Sequence, residues 1–544
     1  MHVSYQNANP RRGNESTILR FTDGDAKAVL LVDSGDGVDL DSLLAADEYL
    51  NGVLLTHAHI DHYRTLGKNV RHNAPVYVSP ATGTILEHSL SEARKDNDLG
   101  DVDAVLDSIE PIGEWTPVLE GLEIRPVPAG HTPGAAGFLV RFRETFGPKG
   151  DDVASIISDE RYILVTGDFT TRPCAGFPPL PTSFPVDVDA VFLNASTNET
   201  TIEQRNEALQ TILERAYGGS RVVVAASALT GVQYALLLAA IAAELDRSLS
   251  ITVVGQTARV LDALDIERPE IESCAVFDRP SDVLEAETVT IAGPDSPTTG
   301  SAKRLLLAIH DRPADAFVQL ATDDSEPISN ANCSTYAFRS DNHPSRDELD
   351  EVVRAIAPKH LVVKHASGYR LDTFQRRYDR CFTWAPDDGV SRVLYEDGEW
   401  SKPGWISESA ARRIRHRQWK TNGDRPLATD DDSMSLLRQP VDPDAEGVDV
   451  DAFRSQFSGS VADPYDDQVA LTDRDDAPPA SETATVPETD RFEARVFGDG
   501  DGKTLLEVLE STDFSPGEIV EVSLSRPAED GDSSENRDGL EQSE

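Results

Sequence analysis

The densest chemistry in the chain is a six-residue string, His57-Ala58-His59-Ile60-Asp61-His62, directly after the apolar run 53–56 (VLLT). Imidazole and carboxylate are the donors that zinc and similar divalent ions take. In extended chain His57 and His59 point the same way. Asp61 and His62 lie past the turn and can face a neighbouring ion, so one short loop can serve two sites. This differs from the i, i+4 histidine pair of HExxH, which needs a helix. The string leaves each ion short of ligands. His131, in Pro128-Ala129-Gly130-His131-Thr132, and Asp168, in Thr166-Gly167-Asp168-Phe169, stand at the ends of further apolar runs, and Asp33 ends another. A lone histidine is more often a surface or hydrogen-bonded residue than a ligand. An ordered His/Asp set is hard to obtain by chance.

The elements that must position these residues are short. Runs 28–32 (AVLLV), 53–56, 124–128, 138–141 and 162–166 read as buried strands. Layered α/β folds collect their chemistry at strand ends. From about residue 200 the texture changes. Residues 204–217 and 257–264 have helical spacing, and 231–245 is an apolar helix. Runs 221–225, 251–254, 289–292 and 316–320 read as strands between them. This alternation predicts a second, doubly wound domain with a parallel sheet. Beyond about residue 426 Asp, Glu, Ser and Pro dominate, which predicts disorder over 426–490. Alternation returns at 493–497 and 519–524, enough for a small β-rich module over 491–526.

The chain has 544 residues and a formal net charge of -46, from 96 acidic and 50 basic side chains. Bulk attraction to nucleic acid is therefore not implied. Acidity spread along the whole chain, with Arg well above Lys, resembles a protein of a halophile such as a halophilic archaeon; a solvated acidic tail is the other reading. At molar salt the Debye length falls to about 3 Å, so such a surface does not repel itself. Cys174, Cys274, Cys333 and Cys381 are scattered, which argues against a disulfide framework and fits a reducing compartment. The apolar run near 235–243 is about half a membrane span, and residues 1–5 carry no apolar leader stretch. A soluble, cytoplasmic protein is expected.

The order Asp33, HxHxDH, His131, Asp168 resembles the metallo-β-lactamase superfamily. The resemblance implies an αββα sandwich in which His57, His59 and His131 hold one zinc, Asp61 and His62 hold a second, and Asp168 bridges them. Manganese is an alternative to zinc. Asp33 would stand behind the ligands and orient their loop. Small-molecule hydrolases of the superfamily finish with one more histidine in a compact domain. Here residues 200–335 intervene before His343 and His365, which resembles the β-CASP nucleases, ribonuclease J and the cleavage and polyadenylation endonuclease among them. The likeness covers most of residues 15–370. It rests on 222–233 (VVVAASALTGVQ), on 291–300 (IAGPDSPTTG), and on the stretch from Phe338 through Asp347-Glu348-Leu349 to 358–365 (PKHLVVKH). The implied layout is a metallo-β-lactamase domain in two parts, 1–199 and 336–425, around an inserted β-CASP α/β domain, 200–335. An acidic disordered linker (426–490), the small module (491–526) and an acidic tail (527–544) would follow.

By position His343 matches the family's motif B histidine, its proposed general acid, and His365 the motif C histidine that completes the second zinc. Histidine at motif C accompanies RNA-directed members, so the resemblance implies a ribonuclease, endo- or 5′-exonucleolytic, in RNA processing or decay. Its two-metal hydroxide mechanism would use a bridging water between ions about 3.5–4 Å apart, with Asp61 and His343 as the catalytic side chains. The chain departs from the pattern twice. Ala195, or Asn194 if the register slips by one, stands where motif A has an acidic residue. Pro344-Ser345 stands where Ala-Asp follows the motif B histidine. Both weaken the case for His343 as an acid. They motivate the alternative of a weakly active or inactive scaffold subunit of an RNA-processing complex. A DNA-directed nuclease and a small-molecule hydrolase on the same fold are further alternatives. The one dense basic stretch, with Arg412, Arg413, Arg415, Arg417 and Lys420 around Trp419, is either an RNA-binding segment or a helix paired to the acidic surface. RNA is the expected partner, with a homodimer or a processing complex as the expected assembly and no membrane association.

Overall fold

Short Val-, Leu- and Ile-rich runs build two mixed sheets that lie face to face. The structure is a computed structural model that describes residues 1–143, 160–322, 326–375, 377–421, 431–457, 494–498 and 504–508. The first sheet runs, edge to edge, Glu399–Trp400, Arg392–Glu396, His2–Asn7, Thr17–Asp23, Ala26–Val32, Leu50–Leu54, Val76–Val78, Ile109–Pro111. The second runs Phe382–Trp384, His360–Lys364, Ala190–Asn194, Glu160–Val165, Ala136–Arg143, Leu122–Pro128, Thr116–Leu119. Side chains alternate along each strand. Val3, Tyr5, Leu19, Leu30 and Leu54 of the first sheet meet Phe138, Val140, Ile163, Phe192 and Val362 of the second in one core. The opposite faces are covered by helices. Val29, Leu31, Val53 and Val76 pack on Pro80–Ala93 and Val102–Ser108. Val191, Leu193, Leu361 and Val363 pack on Arg346–Ile356. The layering is helix, sheet, sheet, helix.

Between Asn194 and residue 340 the chain leaves the sandwich and forms a six-stranded, wholly parallel sheet. Its order is Ile271–Cys274, Ser250–Val254, Thr288–Ala292, Val222–Ala226, Ala316–Ala321, Ser334–Arg339. Helices Thr201–Tyr217, Ala228–Glu244 and Gln256–Ala263 cover one face, and Gly300–Ile309 the other. Ala228–Glu244 starts where Ser227 accepts a bond from Thr230 N, the usual cap chemistry, and it is apolar all round because nearly every residue is buried. The parallel sheet runs to Arg339, past the boundary at 335 expected from sequence. Ser334–Arg339 pairs in register with Ala316–Ala321 before the chain returns to the sandwich.

The expected disordered linker over 426–490 is overturned for residues 431–457, which form an ordered strap. Met434 enters the outer core of the second sheet, and Val441, Val448, Val450 and Phe453 are buried against the parallel-sheet domain and the residues around Cys174. Five widely spaced apolar anchors in an acidic stretch are invisible to average composition, yet each contributes burial energy once a groove exists to receive it. The expected linker residues 426–430 and 458–490 lie outside the described residues. A separate unit from residue 463 contains an antiparallel pair, Ala494–Gly498 with Thr504–Val508; the strand expected over 519–524 and the tail 527–544 are outside the described residues. No helix among the described residues is long and apolar enough to cross a membrane.

Phe192 sits between the two sheets at 1% exposure, its ring 5.4 Å from that of Tyr5 in an edge-on contact. Phe192→Ala is expected to cost about 3–5 kcal/mol, read as a lowered midpoint in denaturant titrations at constant high salt; a loss under about 1 kcal/mol would show that the sheets do not depend on this contact.

Candidate metal centre

Strand register decides which polar residues meet. Asn194 pairs with Lys364, so those two strands of the second sheet end level, and their neighbour ends two residues earlier, where Val165 pairs with Phe192. Asp168, Asn194 and His365 therefore stand together just past those ends. Asn194 Nδ2 donates to Asp168 Oδ1 at 3.0 Å, and His365 Nδ1 lies 2.7 Å from the same oxygen. The HxHxDH string follows Leu50–Leu54 of the first sheet, and His131 follows Leu122–Pro128 of the second. Both sheets thus deliver ligands to one edge of the sandwich.

The hydrogen bonds fix what each imidazole offers. Thr56 Oγ1 donates its one proton to Asp33 Oδ2 at 3.0 Å, so it accepts from His57 Nδ1, also at 3.0 Å. His131 Nδ1 donates to Asn342 O at 2.8 Å, and His62 Nδ1 to Asp33 Oδ2 at 2.8 Å. In all three rings the far nitrogen carries the proton, and the lone pair of Nε2 points into the site. There His57 Nε2 lies 3.1 Å and His131 Nε2 3.2 Å from His59 Nδ1. His62 Nε2 is buried without a hydrogen-bond partner; Asp168 Oδ2, 3.3 Å away, does not form one. Three Nε2 lone pairs thus face the site with at most one donor among them, His59 Nδ1, and a cation there would satisfy them all.

The donor atoms group as His57, His59 and His131; as His57, His62 and Asp168; and as Asp61, His62 and His365. Asp168 Oδ2 also reaches to 3.9 Å from His131 Nε2, between the groups. Asp61 Oδ2 is 3.8 Å from His62 Nε2 and 4.0 Å from His365 Nε2. Three imidazoles with a shared carboxylate fit zinc or a similar ion, and the second group, richer in carboxylate, fits a second one. Charge follows the same division. Burial, then neighbouring imidazoles, hold His57 well below the usual imidazole range; burial also lowers His131, and takes His59 down to about 4. Burial opposes a charge on His62, but Asp33 and Asp61 hold its pKa well above the usual value; these carboxylates favour positive charge at Nε2, which a bound cation would supply in place of a proton.

The backbone is strained where ligands turn inward. Asp33 and His365 have φ of 52° and 49°, left-handed values that non-glycine residues seldom adopt, and Asn14 beside them has 62°. His365 N donates to Asn14 O, and Asn14 Nδ2 donates to Ala366 O, both at 3.0 Å. Gly167, with φ 57°, brings the Asp168 turn against Thr56; a Cβ there would come within 2.6 Å of Thr56 Cβ.

His343 lies beside this set, its ring stacked on that of His131 at 4.8 Å, with Nδ1 buried and unpartnered. Ala195 is fully buried and its methyl side chain offers no acceptor, and Ser345 instead caps the helix Arg346–Ile356 by accepting from Glu348 N. The site opens into a cleft of about 780 Å³ between the sandwich and the parallel-sheet domain, also lined by Arg339, Arg370 and the start of helix Ala228–Glu244. The structure does not bring the basic stretch here. Arg412, Arg413, Arg415, Arg417 and Lys420 lie on helix Glu408–Thr421, whose Gln418 donates to Lys359 O, at the opposite end of the strand that His365 follows. Arg417 pairs with Asp379 at its surface.

No role follows from sequence for Thr56, Asn342 and Arg370, and Asn194 stands there only as the alternative position for the acidic residue of motif A. Thr56 and Asn342 adjoin motif histidines and were open to notice on that ground. Asn194 and Arg370 become neighbours of the ligands only through strand register and the helix Tyr369–Phe374.

Residues 36–170 match the family described as beta-lactamase superfamily domain, a span that holds His57, His59, Asp61, His62, His131 and Asp168. A stretch of 96 residues is 40% identical to Ribonuclease TTHA0252 of Thermus thermophilus, covering 16% of this chain and 22% of that protein, so the match spans about a fifth of the relative's length. Among solved structures, a protein of unknown function from Enterococcus faecalis V583 is similar with a TM-score of 0.49 and 13% identity, over 72% of this chain and 99% of that one.

Asp33→Ala would leave His62 Nδ1 and Thr56 N without their acceptor. Metal affinity is expected to fall about 10–100-fold, read by zinc titration against a competing chelator; unchanged affinity would exclude an orienting role for Asp33.

Proposed function

We propose that the chain is a metal-dependent ribonuclease of the β-CASP type. The observation that carries this reading is the lone-pair set of His57, His59, His62 and His131, closed by Asp168 and His365, at the floor of a cleft whose other wall is the inserted parallel-sheet domain. The domain match to the superfamily and the partial likeness to a named ribonuclease support a hydrolase, and RNA as substrate. Two divalent ions bound there supply Lewis acidity at the scissile phosphate and lower the pKa of a water. The ions are zinc or manganese. The acidic composition fits a protein working in the cytoplasm of a halophile.

The chain's own residues orient and exclude. Asp168 is kept ionised: burial opposes its charge, but His365 beside it holds its pKa well below the carboxylate range. Arg370 donates to Ala195 O at 3.2 Å and Thr197 Oγ1 at 3.3 Å, which places its guanidinium on the cleft wall, where a phosphate would pass. His343 is the acid for the leaving oxygen, but a weakened one. Burial first, and the neighbouring imidazoles, take its pKa down to about 3, against the pull of Asp168. No carboxylate among the described residues hydrogen-bonds it, so at neutral pH little of it carries the imidazolium proton it would give. This absence also favours a second reading, a scaffold subunit that retains its ions but cleaves slowly.

Labelled single-stranded RNA and matched DNA, incubated in high salt with zinc or manganese, decide between the readings. The expected result is metal-dependent RNA cleavage, absent from a chain carrying Asp61→Ala and His62→Ala and weak on DNA. Two bound ions with no cleavage would put the scaffold reading in its place. His343→Ala is expected to slow cleavage of RNA by about 10²–10⁴-fold and to leave an ester with an acidic nitrophenol leaving group nearly unaffected; equal losses on both would remove His343 as the acid.

A further inference from the structure

We infer that Arg205 and Asn342 are positioning residues for His131, and that the strap over residues 437–457 is what keeps Arg205 in that role; the inference rests on the metal-centre reading above. Asn342 clamps the His131 turn at three points. Its side-chain amide nitrogen donates to Gly130 O at 3.1 Å and to His131 O at 2.7 Å, and its backbone carbonyl accepts from His131 Nδ1 at 2.8 Å. The last bond aims His131 Nε2 into the site. The two side-chain bonds, which hold the backbone of the turn against that carbonyl, form only with the amide in one orientation, its nitrogen toward the turn.

Arg205 sets that orientation. It lies on helix Thr201–Tyr217 at 3% exposure, and its Nη2 donates to Asn342 Oδ1 at 2.6 Å. A guanidinium has no acceptor, so the atom facing it must be the oxygen. The other arm of the fork, Nη1, donates to the backbone oxygen of Glu446 at 2.5 Å. Glu446 is fully buried, and its side chain is itself fixed by Gly176 N at 2.9 Å and Gln233 Nε2 at 3.4 Å. Buried Val448, Val450 and Phe453 anchor the strap beyond it, and Asn206, next to Arg205, bonds Gly447 O and Asp449 N, each at 2.9 Å. One rigid two-pronged group therefore spans the strap and the returning chain beside His343. A lysine could satisfy one of the two acceptors but not both. A strap outside the sandwich thus bears, through Arg205 and Asn342, on one metal ligand.

The test is zinc titration of the full chain by calorimetry with a competing chelator, on wild type, Arg205→Ala, Asn342→Ala and the double variant. Arg205→Ala is expected to weaken one of two sites about 10–100-fold and to leave the other unchanged. The double variant is expected to bind no more weakly than Asn342→Ala, because Arg205 acts through Asn342. Arg205→Lys, which keeps the buried charge and one bond, falls between Arg205→Ala and wild type. Arg454→Ala, which cuts the strap's outer ion pair with Glu244, leaves both sites as they were. Unchanged zinc affinity in Arg205→Ala and Arg205→Lys, or losses that multiply in the double variant, would overturn the inference. A wild-type chain that takes up neither zinc nor manganese overturns it together with the metal centre. Two bound ions without RNA cleavage overturn only the ribonuclease reading and leave the titration decisive here.

Discussion

The centre depends on where protons are not. Three imidazoles spend their N–H groups outward, on Thr56, Asn342 and Asp33, and so turn bare lone pairs inward, those of His57 and His131 to about 3 Å from His59 Nδ1. A positive charge among the nitrogens would stabilise such a set, because burial removes the water that would otherwise solvate them. The hydrogen bonds behind the ligands are therefore as much a part of the site as the ligands. Asp33 serves three donors, Thr56 N, Thr56 Oγ1 and His62 Nδ1, and so couples both metal groups through one carboxylate.

That arrangement has a conformational cost. Left-handed backbone at Asp33, His365 and Asn14 costs on the order of 1–3 kcal/mol at each residue. The surrounding bonds over-determine each one: Asp33 N donates to Leu54 O, and His365 N to Asn14 O. Lys364, directly before His365, is fully enclosed, its ammonium donating to Asn7, Asn14 and Ser16 O. The strain sits at the sandwich edge, where two cores and a set of short loops hold it in place.

A chain at -46 that acts on a polyanion, as the proposed function requires, cannot rely on long-range attraction. At high salt the range of any charge is short. Recognition then falls to groups in contact with substrate: bound ions, Arg339 and Arg370 on the cleft wall, and the hydroxyls and amides at the start of helix Ala228–Glu244. The basic helix Glu408–Thr421 is positioned away from this cleft. Its Arg417–Asp379 pair fits the reading of a helix matched to an acidic surface.

Sequence alone determined the candidate ligand types and the local geometry that spacing controls. HxHxDH after an apolar run, and single His and Asp residues after other runs, are local facts, and strand periodicity places each at a strand end. The alternation of apolar runs and helical stretches likewise made the parallel-sheet domain legible, apart from its two edge strands, Ile271–Cys274 and Ser334–Arg339, and the helix Gly300–Ile309. Tertiary structure decided everything that depends on register or on distant burial. Asn194 meets Asp168 because Glu160–Val165 and Ala190–Asn194 pair in register, Arg205 reaches Asn342 because a helix of one domain leans on a turn of the other, and residues 431–457 are ordered because a groove receives Met434, Val441 and Phe453. Local pattern reports the period of a segment. It does not report which surface that segment will find, because the energy that fixes it comes from partners hundreds of residues away in the chain.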